Sequence, residues 1–588
     1  MIGTWQHRWM ALALAGALAT AACSGSDTTA PTPPSAPAGL AVAQLTLTSA
    51  RVSWNAVTGA TSYRLERADA SNPGIWMQVG GTLPATTYDD TGLTAGVTYN
   101  YHVAATSGSQ TSDYAGPVSI ATGLQTGTLT GTISASRTLY KDTVYTLKGY
   151  VKVQSGAILT VQAGTRIVGD AATPGSSLWI LRGARIEANG TAQEPIVFTS
   201  AKAAGTRKPG DWGGIIIIGN GIINRTGSPI LTEGGAAGVA ENYAGGTDNA
   251  DNSGTLRYVR IEFAGYDISN GAGQELNTLS SYAVGSGTRY EYIQTMSGLD
   301  DSFEYWGGAV DGRYLVSYES GDDHFDWTEG YAGRNQFMIA LQTQRADPAP
   351  GTGVFSSDPR GFEGDGCDPL PNSGCFVTNA TGAAGAAGTS APYSRPVFAN
   401  FTVIGPGQLG GFPTDGNGAV LRRGTAGTLI NGIIARWPGV GIQMRDAFVD
   451  SLRLRDSLNI ANVILAENGP AATPTNYDAD GKDTDPVLAE SARRFAQQAK
   501  FATQNHRVGT QAAALITSLN PSGLDWTPKT TAGQPDPTTG GTQVLPPKLG
   551  ARVAGYPYSG GWVNTSYLGA AAPGGPKWWQ GWTAYYIN

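Results

Sequence analysis

The 588-residue chain is too long for a single compact core, so two or more domains are expected. Its 82 glycines, its 33 prolines and a charged fraction of only 14% indicate many short strands joined by tight turns. The formal net charge of −7 and the absence of a basic stripe from the sequence exclude a nucleic-acid partner, because nothing would neutralise the phosphates.

The beginning of the chain predicts export from the cytoplasm. A basic start precedes the apolar run WMALALAGALATAA, which is shorter than the ~20 residues of a membrane span. The segment ATAAC resembles the lipobox of bacterial lipoproteins, which implies a signal peptide over residues 1–22 and a lipid on Cys23. Thr20 stands where Leu is most usual, so ordinary cleavage near Ala22 is the alternative. We expect anchoring at the outer membrane or cell surface, with a Pro-rich tether over 23–35.

The cysteines agree with an extracytoplasmic address. Apart from Cys23, the chain contains only Cys367 and Cys375, which enclose the turn-rich loop DPLPNSG. This arrangement favours a local disulfide in an oxidising compartment. Two free thiols are the alternative, but no histidine stands nearby in the sequence to complete a metal or catalytic pair.

Residues 36–123 show period-two alternation in short runs such as SARVSWNAV and TYNYHVAAT, separated by Gly, Asn and Asp. The segment resembles a fibronectin type III module, with Trp54 and Tyr63 on successive strands. Leu93 and Tyr99 occupy the positions of its tyrosine corner. Such modules are usually spacers or weak adhesive units, so the resemblance implies a β-sandwich without a catalytic role.

Residues 127–588 consist of short apolar strands separated by Gly, Asn or Asp, and no long helices alternate with them. A recurrence near 22 residues predicts a solenoid in which each turn contributes short parallel strands. The motifs LKGYVKVQSGAILTVQAGTRI, NGTAQEPIVFTS and RKPGDWGGIIIIG are similar to a family of secreted bacterial β-helix proteins. We therefore predict an all-β protein, with a right-handed parallel β-helix after the fibronectin-like sandwich.

Three segments depart from a plain solenoid. Residues 345–395 are rich in Gly, Ala and Pro and are interpreted as a protruding insertion. Residues 483–503 predict an amphipathic helix at the start of a capping region over 483–588, which would hide open strand edges. The aromatic run KWWQGWTAYY over 577–586 is expected to seal the final coil.

Two related motifs, SGLDDSFEYWGG and SGDDHFDWTEG, place carboxylates 22 residues apart. Residues one coil apart in a parallel β-helix lie ~4.8 Å from each other, so these carboxylates are expected to stack. Stacked carboxylates repel each other, and their pKa values rise unless a cation, arginines or turn amides compensate. The predicted ligand-binding residues are Asp300, Asp301, Glu304, Trp306, Asp322, Asp323, Asp326 and Trp327.

Three interpretations of these carboxylates stay open. The aspartates cap backbone amides at the corners of successive coils, or Asp301, Asp323 and Asp326 hold calcium for structural reasons, or the cluster contacts or transforms a sugar. Solenoid polysaccharide lyases combine calcium with a basic side chain that abstracts a proton, and this likeness implies Asp301, Asp323 and Arg334 as catalytic candidates. The other arginines that could serve as bases or ion-pair partners are Arg313, Arg345 and Arg360.

The expected function is that of a lipid-anchored surface protein whose β-helix presents an extended face to a polysaccharide or a cell-surface protein, without catalysis. The alternative is a calcium-dependent polysaccharide lyase or another carbohydrate-active enzyme. The sequence does not favour a hydrolase. The GDDH segment over 321–324 is similar to the paired-aspartate motif of polygalacturonases, but their Gly-His-Gly and Arg-x-Lys elements are absent from the sequence.

Overall fold

The structure is a computed structural model that places the chain in two compact units, Met1–Gly123 and Leu124–Asn588. The described residues are 32–224, 230–235, 237–269, 274–345, 347–366, 393–409, 412–413, 416–445, 447–469, 477–478, 507–509, 511–543, 545 and 547–586. Several predictions lie outside them: the signal peptide, the lipid on Cys23, the Cys367–Cys375 disulfide and the helix over 483–503.

The first unit is a sandwich of two antiparallel sheets. Its strands are β1 (Ala41–Thr46), β2 (Ser49–Ser53), β3 (Ser62–Asp69), β4 (Met77–Leu83), β5 (Thr87–Thr91), β6 (Thr98–Ser107), β7 (Gln110–Thr111) and β8 (Ala115–Ala121). One sheet has the order β1-β2-β5, and the other has the order β4-β3-β6-β7 with β8 beside β6. The rings of Trp54 and Tyr63 meet edge to face in the core, and the Thr94 N–H donates to the Tyr99 hydroxyl at 3.1 Å. These contacts confirm the predicted fibronectin type III fold and its tyrosine corner.

The second unit is built on a ladder of 24 parallel-paired strands within the described residues. The strands that form this ladder are β9 (Gln125–Ile133), β10 (Arg137–Leu139), β11 (Thr143–Val153), β12 (Ile158–Val161), β13 (Arg166–Gly169), β14 (Ser177–Ile180), β15 (Arg185–Asn189), β16 (Ile196–Ser200), β17 (Ile215–Ile218), β20 (Gly254–Glu262), β23 (Leu279–Tyr282), β24 (Arg289–Met296), β25 (Phe303–Trp306), β26 (Asp311–Tyr318), β27 (Phe325–Thr328), β28 (Arg334–Leu341), β29 (Arg360–Asp365), β30 (Val397–Ile404), β31 (Asn417–Arg422), β32 (Gly427–Ala435), β33 (Ile442–Met444), β34 (Leu458–Ala466), β35 (Tyr477–Asp478) and β36 (Arg507–Gly509).

The remaining elements of this unit lie outside the ladder. They are the antiparallel pairs β18 (Ile230–Leu231) with β19 (Tyr243–Ala244), β21 (Tyr266–Asp267) with β22 (Glu275–Leu276), and β37 (Ile516–Ser518) with β38 (Asp525–Pro528), and the helices α1 (Ala447–Leu454) and α2 (Pro547–Val553). Neither these helices nor any other helix in the described part of the chain is long and apolar enough to cross a membrane.

The pairing register confirms that 22 residues make one coil in the middle of the solenoid. Phe303 of β25 pairs with Phe325 of β27, and Glu304 pairs with Asp326. The two phenylalanine rings stack with centroids 5.3 Å apart, and Phe362 of β29 continues the column at 5.5 Å from Phe325. All three phenylalanines are fully buried, so the column forms part of the interior of the coil. The predicted parallel β-helix is therefore confirmed.

One corner of the solenoid is occupied by aromatic residues with left-handed backbone conformation. Tyr258, Tyr292, Tyr314 and Phe337 have φ between 49° and 63°, and their rings stack at 4.3, 4.5 and 5.2 Å. Further along the chain asparagine takes over this position, and Asn400, Asn431 and Asn462 have φ between 52° and 59°. Stacking with the next coil offsets the ~1–2 kcal/mol that a left-handed conformation costs an ordinary residue.

The described part of the C-terminal region runs along the side of the solenoid. Trp582 meets the rings of Tyr258 and Tyr292 edge on, and the Trp526 indole N–H donates to the Tyr318 hydroxyl at 3.1 Å. These partners belong to β20, β24 and β26, which lie in the middle coils. The prediction that residues 577–586 seal the final coil is therefore wrong. The outward face of the middle strands carries apolar side chains that need a cover, and the terminal tryptophans supply it.

The predicted insertion over 345–395 needs a similar correction. Its residues Arg360–Asp365 form β29, which pairs with β27 on one side and β31 on the other. Among the described residues of this range, those before the strand depart from the coil. Before it, the N–H of Ala349 donates to Pro209 O, and Asp267 donates its N–H to Thr352 O. Residues 347–358 therefore pack against turns of earlier coils, and they border the acidic residues described next.

Candidate functional site

The acidic site is built on β25, β27 and β29, which lie on three successive coils. Because side chains alternate along a strand, Phe303, Phe325 and Phe362 point into the coil while their neighbours point outward. The outward neighbours are Glu304, Asp326 and Glu363, which pair directly in the parallel register. The repeat of one coil therefore forces these three carboxylates into a single column.

A second column stands at the turn that precedes these strands. The side-chain Oδ1 of Asn277 accepts the N–H of Asp301 at 2.9 Å, and the Oδ1 of Asp301 accepts the N–H of Asp323 at 2.9 Å. Each side chain thus satisfies a backbone donor of the next coil. This geometry is that of a corner cap, and Asp301 has this structural role whatever else it does.

The two columns together form three groups of carboxylates whose oxygens lie within 4.8 Å of one another. The groups are Asp300 with Asp301 and Asp322, Asp301 with Glu304 and Asp326, and Asp323 with Asp326 and Glu363. The predicted metal residues Asp301, Asp323 and Asp326 are therefore spread over all three groups, and Asp301 and Asp326 share one group with Glu304. We call the group Asp301, Glu304 and Asp326 the central triad.

Arginines neutralise only one end of this acidic site. Arg360 is ion-paired with Asp323 at 3.2 Å and also with Glu363, and Arg422 donates to Glu363 at 2.7 Å and to Asp365 at 2.8 Å. These contacts hold the pKa of Asp365 below its ordinary value even though burial raises it. In the described part of the chain, the salt bridges of this site reach Asp323, Glu363 and Asp365 but none of the central triad.

The central triad is consequently an unfavourable place for negative charge. Burial, followed by repulsion from Asp323, raises the pKa of Asp301 well above its ordinary value. Burial also raises the pKa of Glu304, with Glu233 as the strongest neighbouring charge, and that of Asp326, with Glu363 as its strongest. Three ionised carboxylates cannot coexist here without compensation, so the triad must either hold protons or bind a cation.

Several buried oxygens of the site lack a hydrogen-bond partner among the described residues. They include the Oδ1 atoms of Asp322, Asp323 and Asp326 and the hydroxyl of Ser280, which pairs with Glu304 one coil earlier. Buried polar atoms without partners are uncommon in folded proteins. Carboxylate and hydroxyl oxygens are the ligands of a hard cation such as calcium, which takes 6–8 of them in flexible geometry. The donor set therefore fits calcium.

The two predicted tryptophans differ in position. Trp327 pairs with Tyr305 and points into the coil, where it is fully buried and its indole N–H donates to Thr425 at 2.9 Å. Its predicted role as a ligand-contacting ring is therefore wrong. Trp306 points outward beside the central triad, but it stacks on Tyr282 with centroids 5.5 Å apart and is only 8% exposed.

Arg334, the arginine predicted as a catalytic base, lies away from the acidic columns. Arg334 donates to Asp311 at 2.8 Å and to the carbonyl of Ala554 at 2.9 Å, next to α2. Its pairing with Asp311 raises its pKa although burial lowers it. Arg334 is committed to a structural ion pair away from the acidic columns, so its assignment as the base is wrong. The sequence alone did not show that Arg334, at the start of β28, lies away from the turn that carries the acidic residues.

Two other residues near the site have lowered pKa values. Burial lowers the pKa of His324 to about 3, so the ring is neutral, and its Nδ1 lies 2.5 Å from the Ser317 hydroxyl. Arg345 lies over the ring of Phe355 at 5.1 Å, and burial lowers its pKa despite the opposing charge of Asp322. Arg345 is thus the arginine next to the acidic site that is not held by a carboxylate salt bridge among the described contacts.

Three residues of the acidic site were not predicted from the sequence: Asn277, Glu233 and Glu275. Asn277 donates its Nδ2 to Glu304 at 2.5 Å and to Glu233 at 3.3 Å, and Glu275 is electrostatically coupled to Asp267 and Asp322. Asn277 could have been found, because it lies 24 residues before Asp301 and begins the preceding coil. Glu233 and Glu275 lie on excursions from the ladder, and no repeat in the sequence indicates where such residues fold back.

The raised pKa values predict how stability depends on pH. Burial raises the pKa of Asp322 to about 6 and that of Glu275 to about 7. The folded chain therefore binds more protons than the unfolded chain between about pH 4 and 7, and stability falls as pH rises through this window.

We expect urea unfolding in metal-free buffer to show this decline, with a shallower slope for Glu275→Gln. An exposed control, Glu194→Gln, should keep the wild-type slope. A flat wild-type profile would contradict the prediction.

Comparison with known proteins supports both units. Residues 131–517 match the model of the "Pectate-lyase like beta helix domain", and residues 35–120 match that of the fibronectin type III domain. A poly(3-hydroxybutyrate) depolymerase of Ralstonia pickettii is 46% identical over 71 residues, which are 12% of this chain and 13% of that protein.

Two of the solved structures that match the chain do so over a small share of its length. A Fn3-like protein from Clostridium thermocellum is 29% identical, with a TM-score of 0.14, over 15% of this chain and 92% of its own. Domains A168–A170 of titin are 23% identical, with a TM-score of 0.15, over 16% of this chain and 32% of theirs. The family match, in contrast, spans well over half of the chain and coincides with the ladder that carries the acidic columns. The chain belongs to the family of pectate-lyase-like β-helix domains.

Proposed function

We propose that the acidic site binds calcium and, through it, an acidic polysaccharide, and that the protein acts as a surface binding protein without catalysis. The observation that supports this most directly is the central triad of Asp301, Glu304 and Asp326. Its oxygens converge within 4.8 Å, and none of the described salt bridges reaches it. A divalent cation would supply the missing charge.

The edge of the site suggests how a polymer would reach such a cation. Asp300 and Asp322 are partly exposed, whereas Asp301 and Glu304 are 6% and 5% exposed. Protein ligands would therefore fill the inner side of the coordination sphere, and the outer side would remain for water or for a sugar carboxylate. The matched family and the depolymerase fragment both carry names that refer to polymer degradation, which agrees with a polymeric ligand.

Substitutions at Asp301 separate a corner cap from a metal ligand. Asp301→Asn keeps the Oδ1 that accepts the Asp323 N–H, whereas Asp301→Ala removes it. If the residue binds calcium, both variants lose the calcium-dependent rise in thermal stability, which is about 2.7 kcal/mol at one hundred times the dissociation constant. If it only caps the corner, Asp301→Asn resembles the wild type and Asp301→Ala is destabilised by about 1–3 kcal/mol.

The control for this comparison is Asp248→Asn. Asp248 is exposed and accepts the Ala250 N–H, and asparagine can retain that contact. The control should keep the full calcium response. A wild-type protein whose unfolding temperature is the same in calcium and in chelator would contradict calcium binding at the site.

A lyase is the second candidate function, and Arg345 is the observation that favours it. Its place beside Asp322, without a carboxylate salt bridge among the described contacts, suits a basic group next to a calcium-bound uronate. This reaction would release unsaturated sugars that absorb ultraviolet light. Arg345→Gln should then reduce the rate by about 10²–10⁴-fold, while an exposed control, Arg137→Gln, retains it. If the protein binds several uronic-acid polymers and releases no such product from any of them, the lyase is excluded and the non-catalytic function stands.

The location of the protein is proposed from the start of the chain. The ATAAC segment supports cleavage before Cys23 and lipidation of its thiol, which would anchor the fibronectin module and β-helix at the outer membrane or cell surface. We expect a radioactive fatty acid to label the wild-type protein in cells and not a Cys23→Ser variant. Equal labelling of the two proteins, or no labelling of either, would exclude this anchor.

A further inference from the structure

A basic face lies on the β-helix where the C-terminal segment crosses the beginnings of several strands. Arg289 begins β24, Arg334 begins β28, and Arg395 lies two residues before β30. Because β24, β26, β28 and β30 pair in that order, one coil apart, the starts of β24 and β30 are about 14 Å apart. The three arginines come from separate strands, so no basic run marks this face in the sequence.

The helix α2 adds two cations to this face. Leu549 and Val553, four residues apart, are buried in one apolar cluster with residues of β30 and β32. Lys548 and Arg552 are also four residues apart, so they share another side of the helix. Arg552 donates to the carbonyl oxygen of Arg395 at 2.6 Å, which places this side of α2 beside the arginines. The basic face consists of Arg289, Arg334, Arg395, Lys548 and Arg552.

Part of the basic face has a structural role. Arg289 and Arg334 donate to carbonyl oxygens of the C-terminal segment at 2.5 and 2.9 Å. These bonds hold the segment on the coil, but a neutral carbonyl group leaves the charge of a guanidinium in place. Burial, and then the charges of Arg395 and Arg334, lower the pKa of Arg552 to about 10. The cations are therefore close enough to repel one another.

Few carboxylates offset these charges. The acidic residues of β24, β26, β28 and β30 are Glu291 and Asp311. Glu291 accepts a hydrogen bond from Arg257 at 2.9 Å, and Asp311 is 1% exposed and is paired with Arg334. The sequence of residues 541–588, which includes α2, contains no Asp or Glu. Positive charge is therefore in excess on this face, although the whole chain carries a formal charge of −7.

Arg395 and Lys548 are the cations of the basic face that remain available to a partner. Both residues are exposed. Within the part of the chain that the structure describes, neither the guanidinium of Arg395 nor the ammonium of Lys548 has a hydrogen-bond or salt-bridge partner. A single exposed cation needs no explanation, since most lysines and arginines are exposed. Two of them beside three further cations create a local potential that attracts anions.

We infer that the basic face docks on a membrane surface that carries anionic phospholipids. Such a surface presents many phosphates side by side, which suits cations spread along about 14 Å of the coil rather than gathered in one cavity. The planar guanidinium group matches the oxygens of a phosphate in geometry. Since the chain as a whole is negatively charged, an anionic surface attracts it through a basic face and repels the rest.

The inference rests on the proposed location of the protein, because a lipid on Cys23 would keep the β-helix near a membrane. Anchoring raises the effective concentration of the basic face at that surface, so weak docking is sufficient. A lipid chain combined with a basic patch is a common way to hold a protein on a membrane. The calcium site of the proposed function takes no part, and docking is expected in the presence of EDTA.

The test uses the soluble chain of residues 24–588, which contains every described residue and lacks the cysteine that would carry the lipid. In EDTA at low salt, it should sediment with vesicles of phosphatidylglycerol and phosphatidylcholine but not with vesicles of phosphatidylcholine alone. Raising the salt concentration should release it, because salt screens exposed charges. Since neither lipidation nor calcium takes part, failure of either of those proposals leaves this result unchanged.

Variants locate the docking surface. Arg395→Gln and Lys548→Gln should each weaken vesicle binding about fivefold, and the double variant about 25-fold, which is the effect of one and of two cations near an anionic surface. Neither change should alter thermal unfolding, because neither side chain has a partner among the described residues to lose. The controls Arg137→Gln and Lys148→Gln remove the same charge from exposed positions of β10 and β11 and should bind as the wild type does.

Three results would each overturn the inference: no binding to anionic vesicles at low salt, equal binding to phosphatidylcholine vesicles, or wild-type binding by the double variant. A soluble polyanion is the competing ligand for a basic surface. If polygalacturonate in EDTA binds the wild type more tightly than the vesicles do, and binds the double variant more weakly, the face belongs to a soluble polymer and the inference is wrong.

Discussion

The structure depends on the vertical pairing of equivalent residues in successive coils. Parallel strands ~4.8 Å apart bring every side chain onto its counterpart one coil away. Inside the coil this constraint is favourable, since phenylalanines stack into a continuous core at 5.3 and 5.5 Å. At one corner it allows aromatic residues to adopt left-handed conformations that isolated residues avoid. Outside the coil the same rule stacks like charges, and there it is unfavourable.

The protein compensates stacked charge differently at the two ends of the acidic site. Towards the later coils, Arg360 and Arg422 form ion pairs with Asp323 and Glu363. Towards the earlier coils, Glu304 accepts a hydrogen bond from the side-chain amide of Asn277. Burial and the neighbouring carboxylates raise the pKa of Glu304. A fold that needed only corner caps would gain nothing from this asymmetry. The uncompensated end is where an external cation or ligand would lower the free energy most.

Much of the candidate site was predictable because a 22-residue spacing translates directly into contact between coils. The column of Glu304 and Asp326 followed from that spacing. The error with Trp327 had a simple cause: shifting a residue by one position along a strand moves it from the surface to the interior. FEYW and FDWT share their first aromatic residue, but the tryptophans stand at alternate positions, and only the one in FEYW points outward.

The sequence by itself determined the two folds, the length of a coil and the residues that stack, because local alternation and repeat spacing encode them. It could not determine which segments return to cover the solenoid. The path of residues 577–586 along the middle coils, the excursion that brings Glu233 to Asn277, and the pairing of Arg334 with Asp311 all join residues far apart in the chain. Such contacts depend on which apolar and charged surfaces remain uncovered once the coil has formed, and this was decided only in the tertiary structure.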